Sequence, residues 1–474
     1  MPFATHLVTN RHELVRHSHA SRNEYAATRI AAWMPATHWF GNRRAAPARI
    51  ALDRTDLVPA AVTLFSLFSP RAAHLHADPR SVAADAARDP AFAAWLVNVI
   101  LDGATLADHN GIFRGHPTTP RARTANLSAA YVYPLGGDST NTLLRVEHGG
   151  QTVVVKLLRQ CLPGIQPEVE VGTFFACHAR WNTTPRFLGW LEYASANGES
   201  TAVATIHDFT PGCTTAWDHL APRMARGGLS GADRSEILEV VRALGRTTAE
   251  MHQALASRPE IAAFTPVVEK ATDRQTTADR MIAHATEVFE LAAARQPTLP
   301  ASAAVLRQLL AKRDQFAASL LQLATIGECG ALIRIHGDYH LGQVLLHPPQ
   351  KTITVIDFEG EPGRALADRR RKTTALKDVA GMCRSFDYLL RHSARIGTAT
   401  YRPDHLRLLE ETYLDAYCSV AHDSAWWPTD KATAETLLNI YKLDKALYEL
   451  AYELQNRPDW VEVPLAALIT HSSY

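Results

Sequence analysis

The sequence predicts a bilobal α+β fold, with an N-terminal cap subdomain over residues 1-125, a small β-rich lobe over 126-207 and a large α-helical lobe over 208-474. Three observations lead there. Near residue 126 an Ala-, His- and Arg-rich texture gives way to short runs of Val, Leu, Thr and Tyr broken by glycine-bearing turns, which is the pattern of antiparallel strands. After residue 230, apolar residues recur at helical spacing over several long stretches. Between Arg334 and Glu361 a polar loop, a hairpin pattern and an acidic loop follow one another.

Composition bounds the function. A chain of 474 residues is too long for one core, and with 46% hydrophobic and 20% charged residues it is ordinary globular material. A net charge of +1 gives no electrostatic case for nucleic acid or for an anionic membrane. The six cysteines are scattered without a CxxC pair, which suits a reducing compartment. No run approaches the ~20 apolar residues that span a bilayer, and the first residues lack a charged-then-apolar leader. The expectation is a cytoplasmic protein that works on a small molecule.

In the cap, Trp33, Trp39 and Phe40 read as core, residues 60-68 as a strand, and about 81-101 as a helix carrying Phe92, Trp95, Leu96 and Val99. Residues 115-124 read as the linker out. Strands then follow at 129-134, 142-147 and 152-158. Between the first two lies a loop in which Gly137, Ser139, Thr140 and Asn141 offer backbone and side-chain donors to phosphates. Lys156 follows three valines on a strand that should be buried, where an ammonium needs a carboxylate or a ligand phosphate. The next helix offers Glu168 or Glu170. Further strands are expected at 187-193 and 201-206. His207 to Phe209 then begin the crossing to the helical lobe, where backbone groups would meet an adenine.

Ser230-x-x-Asp233 is a capping-box variant ahead of Ile237, Val241, Leu244 and Met251, and further helices are expected over about 268-292, 301-324, 373-394, 404-422 and 432-456. The basic run Arg369 to Lys372 is either a solvated face or an attractor of phosphate. Asp378 and Asp387 read as scaffold, and Trp426-Trp427 as packing at a helix junction.

The chemistry lies in residues 334-361. Asp338 and Gln343 are separated by four residues, as are the Asp and Asn of a kinase catalytic loop. Two short β-type runs, 344-347 and 352-356, form a hairpin that would return Asp357 to the side of Gln343. Two converging side-chain oxygens suit a magnesium ion on a triphosphate. His336 and His340 are four apart, but Gly337 and Gly342 make this a loop, so they read as hydrogen-bonding scaffold rather than helical metal ligands.

These residues resemble the maltokinases, sugar kinases of a eukaryotic-protein-kinase-like fold related to the aminoglycoside phosphotransferases. The likeness runs through Trp39-Phe40-Gly41, Ser139 to Thr142, Lys156 to Arg159, Pro167 to Glu170, His336 to Gln343, Asp357 to Pro362, Asp378 to Tyr388 and Tyr448 to Trp460. The resemblance implies transfer of the ATP γ-phosphate to the anomeric hydroxyl of maltose, giving maltose 1-phosphate for α-glucan (glycogen) synthesis. It implies Asp338 as the catalytic residue, Gln343 and Asp357 as ligands of Mg2+, and Lys156 with Glu170 as the phosphate clamp. Glu359, Arg384, Tyr441, Lys442, Tyr448 and Glu449 are then either acceptor contacts or helix packing. A trehalose synthase-like enzyme is the partner that the likeness suggests. The Gly-Gly-Asp-Ser-Thr-Asn-Thr loop, His38 before the Trp-Phe-Gly, and the crossing at His207 depart from the family pattern and leave the acceptor open. A kinase for glucosamine or an aminoglycoside is the second reading, and an acidic acceptor wall would favour it, whereas Arg384 and Lys442 favour a neutral sugar. A third reading, a nucleotide-binding pseudokinase, is opposed by the intact Lys156, Asp338, Gln343 and Asp357.

Overall fold

The structure, a computed structural model, describes residues 3-4, 90-108, 111-119, 130-135, 141-148, 150-179, 181-347, 352-397 and 400-471. The cap tryptophans, the strand expected at 60-68, and Gly137, Ser139 and Thr140 lie outside them. The chain divides into two compact units, Met1–His178 with Pro185–Thr210, and Ala179–Thr184 with Pro211–Tyr474.

The first unit is built on a sheet. Helix α1 (Pro90–Leu101) precedes β1 (Thr105–Asp108), β2 (Gly111–Pro117), β3 (Ala130–Pro134), β4 (Thr142–His148) and β5 (Gln151–Leu157). Helix α2 (Pro167–Cys177), β6 (Phe187–Ser195) and β7 (Ser200–Asp208) follow. The seven strands lie in the order β1-β2-β6-β7-β5-β4-β3, antiparallel throughout. Strand β6 shows why: Phe187, Leu191 and Tyr193 alternate inward while Leu188, Trp190 and Glu192 are half-buried, a period of two. Leu191 and Tyr193 join Val153, Val155, Leu144, Val146 and Ile206, and α1 closes this core with Phe92, Leu96 and Ile100, whereas Phe187 packs with Leu158, Val169 and Ala202.

Strands β1 and β2 were not legible. Residues 115-117, read as linker, continue β2 and pair with β6, Gly115 opposite Leu191. That pairing spans some 76 positions, beyond what a local turn signal can report, and the long neighbour overrides the turn propensity of Gly-His-Pro. Strands β1 and β2, in the stretch assigned to the cap, thus join the same sheet as the strands assigned to the small lobe, and α1 packs on that sheet.

The second unit is helical. Helices α3 (Ala216–Ala225), α4 (Arg234–Leu255), α5 (Ala271–Arg295), α6 (Ala303–Leu310) and α7 (Arg313–Thr325) come first. A hairpin of β8 (Val344–His347) and β9 (Thr352–Val355) follows, then α8 (Leu376–Ile396), α9 (Pro403–Ala421), α10 (Lys431–Asn456) and α11 (Glu462–His471). Helix α8 is the hub. Its Leu376, Val379, Met382, Cys383, Phe386 and Leu389 are all buried, and α3 and α10 pack against it. The capping box expected at Ser230 does not form. Gly228–Ser230 is a 3-10 turn, and Asp233 enters α4 without a side-chain cap, its carboxylate turned to Arg226 at 3.4 Å. Among the described residues no helix is long and apolar enough to cross a membrane. A small antiparallel-sheet lobe and a helical lobe make this a kinase-like fold.

Candidate active site

The loop that carries Asp338 is fixed from the first turn of α8. Asp378 accepts the backbone N–H of His336 at 2.8 Å and of Gly337 at 2.9 Å, and His252 on α4 donates to it at 3.1 Å. His252 in turn meets the Tyr417 hydroxyl at 2.8 Å. Burial opposes charge on Asp378, yet the His252 bond and the Gly337 amide win and hold its carboxyl below the usual range. A buried carboxylate that accepts several hydrogen bonds is a rigid peg. Gly337 sits at φ +87°, where an L side chain is strained. The Asp338 amide donates to His336 Nδ1 at 3.3 Å, which leaves Nε2–H to donate to the Ile356 carbonyl at 2.8 Å and fixes the tautomer. His336 therefore ties the loop to the end of the hairpin, and the scaffold reading of the histidines holds for it.

The hairpin has the register that the sequence suggests, Val344 opposite Val355 and His347 opposite Thr352. Ile356 N–H donates to the Gln343 carbonyl at 3.0 Å, and Gln343 Nε2 donates to Asp357 Oδ2 at 3.0 Å. Asp357 stands at φ 69°, the one described non-glycine residue in that region, a conformation that costs about 1–3 kcal/mol and is held by its surroundings. Carboxylate oxygens of Asp357 and of the buried Glu359 lie within 4.8 Å of each other. The carboxylate oxygens of Asp357 and Glu359 are the ligand type of a hard cation such as magnesium, while Gln343 presents Nε2 to Asp357.

Asp338 faces a cleft lined by Gly337, Glu361, Lys377, Asp444 and Lys445. Lys445 Nζ reaches Asp338 Oδ1 at 2.7 Å and Glu361 Oε1 at 3.0 Å, and lies 4.6 Å from the Tyr448 ring. Glu361 Oε2 is met by Arg364 at 3.1 Å and Lys377 at 3.5 Å, and Arg364 also bonds Asp444 Oδ2 at 3.2 Å. Burial alone would neutralise these groups. Against it, Lys377, Lys445 and Arg364 keep Glu361 far below the usual carboxylate range, and Asp338 with Glu361 keeps Lys445 well above the usual lysine value.

Helix α10 sorts the residues expected to touch the acceptor. Positions 441, 445 and 448 share one face, and 442 and 449 another. Tyr441 and Tyr448 stand on the cleft side, Tyr441 lining it and bonding Thr373 at 3.3 Å. Lys442 is instead paired with Glu410 at 2.6 Å. Arg384 is paired with Asp387 at 2.5 Å and with Glu449 at 2.6 Å, and its guanidinium is buried. These three are taken up by helix packing. Sequence reasoning missed Asp444, Lys445 and Glu361; the helical spacing Tyr441, Lys445, Tyr448 was the signal that could have found Lys445.

In the first unit, the carboxylate that meets Lys156 is Glu168, at 2.7 Å, both side chains about 5% exposed. This corrects the assignment to Glu170. Glu168 shares its face of α2 with the buried Val171 and Phe175, whereas Glu170 is only half-buried. Asn141 is buried and accepts the Arg159 amide at 3.3 Å. His207 Nε2 lies 3.7 Å from Glu168, and the Phe209 ring lies under the Arg145 guanidinium at 4.7 Å. The basic run is absorbed locally: Arg369 bonds the carbonyls of Arg364 and Pro362, and Lys372 that of Ala262.

A sheet unit with a buried Lys–Glu pair and a helical unit with this loop and hairpin define a phosphotransferase. The phosphotransferase enzyme family APH matches residues 132–385, more than half of the sequence, and the chain belongs to that family. It is 28% identical over 413 residues to the glucosamine kinase of Streptacidiphilus jiangxiensis, across 80% of this chain and 85% of that one. To the glucosamine kinase of Mycolicibacterium smegmatis it is 27% identical over 296 residues, 60% of this chain and 66% of that one. Among solved structures, a glucosamine kinase in complex with glucosamine, ADP and inorganic phosphate shares the fold, with a TM-score of 0.57 at 23% identity over 72% of this chain and 81% of that chain.

Proposed function

We propose that this chain transfers the γ-phosphate of ATP to a hydroxyl of a small sugar, and that the sugar is an amino sugar of the glucosamine class. The observation that carries the transfer is the coupling of Asp338, through His336, to the hairpin end where Gln343 bonds Asp357. Asp338 takes up the acceptor hydroxyl by hydrogen bond, aims its oxygen at the phosphorus, and receives its proton as the new P–O bond forms and the bond to ADP breaks. Lys445 holds one Asp338 oxygen at 2.7 Å, so the carboxylate keeps a single orientation while the other oxygen serves the acceptor. Gln343, Asp357 and Glu359 are the residues that would hold magnesium, which when bound neutralises phosphate charge. Lys156, paired with Glu168 at 2.7 Å, is assigned to the nucleotide's phosphates.

The choice of acceptor departs from the maltose expected at first. Arg384 and Lys442, the groups that favoured a neutral sugar, are used in ion pairs, and carboxylates of Asp338, Glu361 and Asp444 border the cleft. Two relatives of this chain are named glucosamine kinases, which supports the same reading. Maltose stays the second reading because of the Tyr448 to Trp460 motif, and with it the supply of maltose 1-phosphate for glycogen synthesis and the partnership with a trehalose synthase-like enzyme. Magnesium-dependent ADP release with glucosamine, glucose and maltose tests both. Turnover of glucosamine above the other two is expected; preference for maltose would reverse the assignment, and no turnover of any sugar would remove it.

A further inference from the structure

On the sheet of the first unit, the face turned away from α1 carries a row of side chains beside that of Lys156. Val132, Val146, Val155 and Ile206 pack in the core that α1 closes. Alternation then puts their chain neighbours Tyr133, Arg145, Val154 and His207 on the opposite face. These four are cross-strand partners on β3, β4, β5 and β7: Tyr133 lies opposite Arg145, Arg145 opposite Val154, and Val154 opposite His207. Lys156 stands on the same face two residues further along β5, a step of about 7 Å. The Arg145 guanidinium is not swung out to solvent. Its carbon lies 4.7 Å from the centre of the Phe209 ring and 5.3 Å from that of Tyr133, and Nη2 bonds Glu147. Two rings and a carboxylate thus fix a cation on this row, with 38% of its side chain exposed.

We infer that Arg145 covers the base of the donor nucleotide, its stem and guanidinium lying on the face of the ring. The inference rests on the phosphotransferase reading and deepens it. Lys156 is assigned to the phosphates, and Phe209 belongs to the crossing where the base is expected, so Arg145 stands between the two on one face. A ribose separates a base from its phosphates by a distance of the same order as the step from Arg145's row to that of Lys156. A cation on a ring face is attracted by the π electrons, more strongly where water is displaced, and the methylenes of the stem add apolar contact. Glu147 and the two rings hold the side chain before the nucleotide arrives, so less side-chain freedom is lost on binding.

Calorimetry with ADP and with inorganic pyrophosphate, each with magnesium, on the wild type and on Arg145→Ser tests this. Kd for ADP should rise about five- to thirtyfold in the variant, the range of a cation on a ring at a partly desolvated site. Kd for pyrophosphate, which has no base, should change less than about twofold by the same argument. An unchanged Kd for ADP would overturn the inference, and so would an equal rise for both ligands, which would assign Arg145 to the phosphates. Should melting temperature show that Arg145→Ser does not fold, Arg145→Lys decides. It keeps the charge and loses the planar group, so ADP should weaken by a few fold and pyrophosphate should not, and full ADP affinity would overturn the inference. Neither ligand needs an acceptor, so failure here leaves the sugar-kinase reading standing. Absence of ADP binding to the wild type would remove both readings together.

Discussion

Asp338 owes its orientation to two residues far from it in sequence, Lys445 at its carboxylate and Asp378 at the loop's backbone. The residues found in advance were those whose roles are encoded at short range. Asp338, Gln343 and Asp357 could be read because loop spacing and one hairpin bring them together. Glu361, Asp444 and Lys445 could not, since Asp338 and Lys445 stand 107 positions apart and only the packing of α10 joins them. Glu168 and Glu170 lay between these cases. Both are in the first turn of α2, and which of them meets Lys156 depends on the face that the helix turns to the sheet. The correction is testable. Glu168→Gln should raise KM for ATP about tenfold and lower the melting temperature, because the buried Lys156 loses its carboxylate, a change that costs about 3–5 kcal/mol in such pairs. Glu170→Gln should change KM for ATP less than twofold. The reverse order in steady-state kinetics would restore Glu170 as the clamp.

Among the elements, α8 decides whether the loop is in place. Its first turn brings Asp378 to the loop amides, and one turn on, Gly381 lets the Tyr339 carbonyl approach so closely that an added Cβ would stand 2.6 Å from that oxygen. Gly381→Val should therefore push the loop from the helix, with kcat reduced about tenfold or more for a displacement near 1 Å and the melting temperature lowered. An active, equally stable variant would show that the contact is dispensable. Asp378→Ala leaves two loop amides and His252 without their acceptor, and should destabilise by about 3–5 kcal/mol in denaturant titration. At this scale the strands β4 to β7, the hairpin and the long helices were legible from period and turn residues, though boundaries moved by a few positions. Strand β2 was not, because its partner β6 lies some 75 residues away, and β1 pairs only with β2.

For the whole molecule, ionised groups buried in the helical unit govern the response to acid. Asp378, Asp387 and Asp444 are each held below the ordinary carboxylate value in spite of burial, by His252, by Arg384 and Arg391, and by His284 and Arg364 respectively. Above the ordinary value of about 4 both folded and unfolded chains are ionised, and the full stabilisation is present. As pH falls below it the unfolded chain takes up protons first, so stability must decline. Melting temperature should fall steeply between about pH 4 and pH 3, and a flat profile there would mean that these carboxylates are not charged in the fold. Phosphoryl transfer to a sugar is decided by following label from γ-labelled ATP into glucosamine with the wild type and with Asp338→Asn. Label should appear in the sugar with the wild type and fall by about 10²–10⁴-fold in the variant, while ADP affinity stays unchanged. Transfer at the wild-type rate without the Asp338 carboxylate would contradict the role given to it.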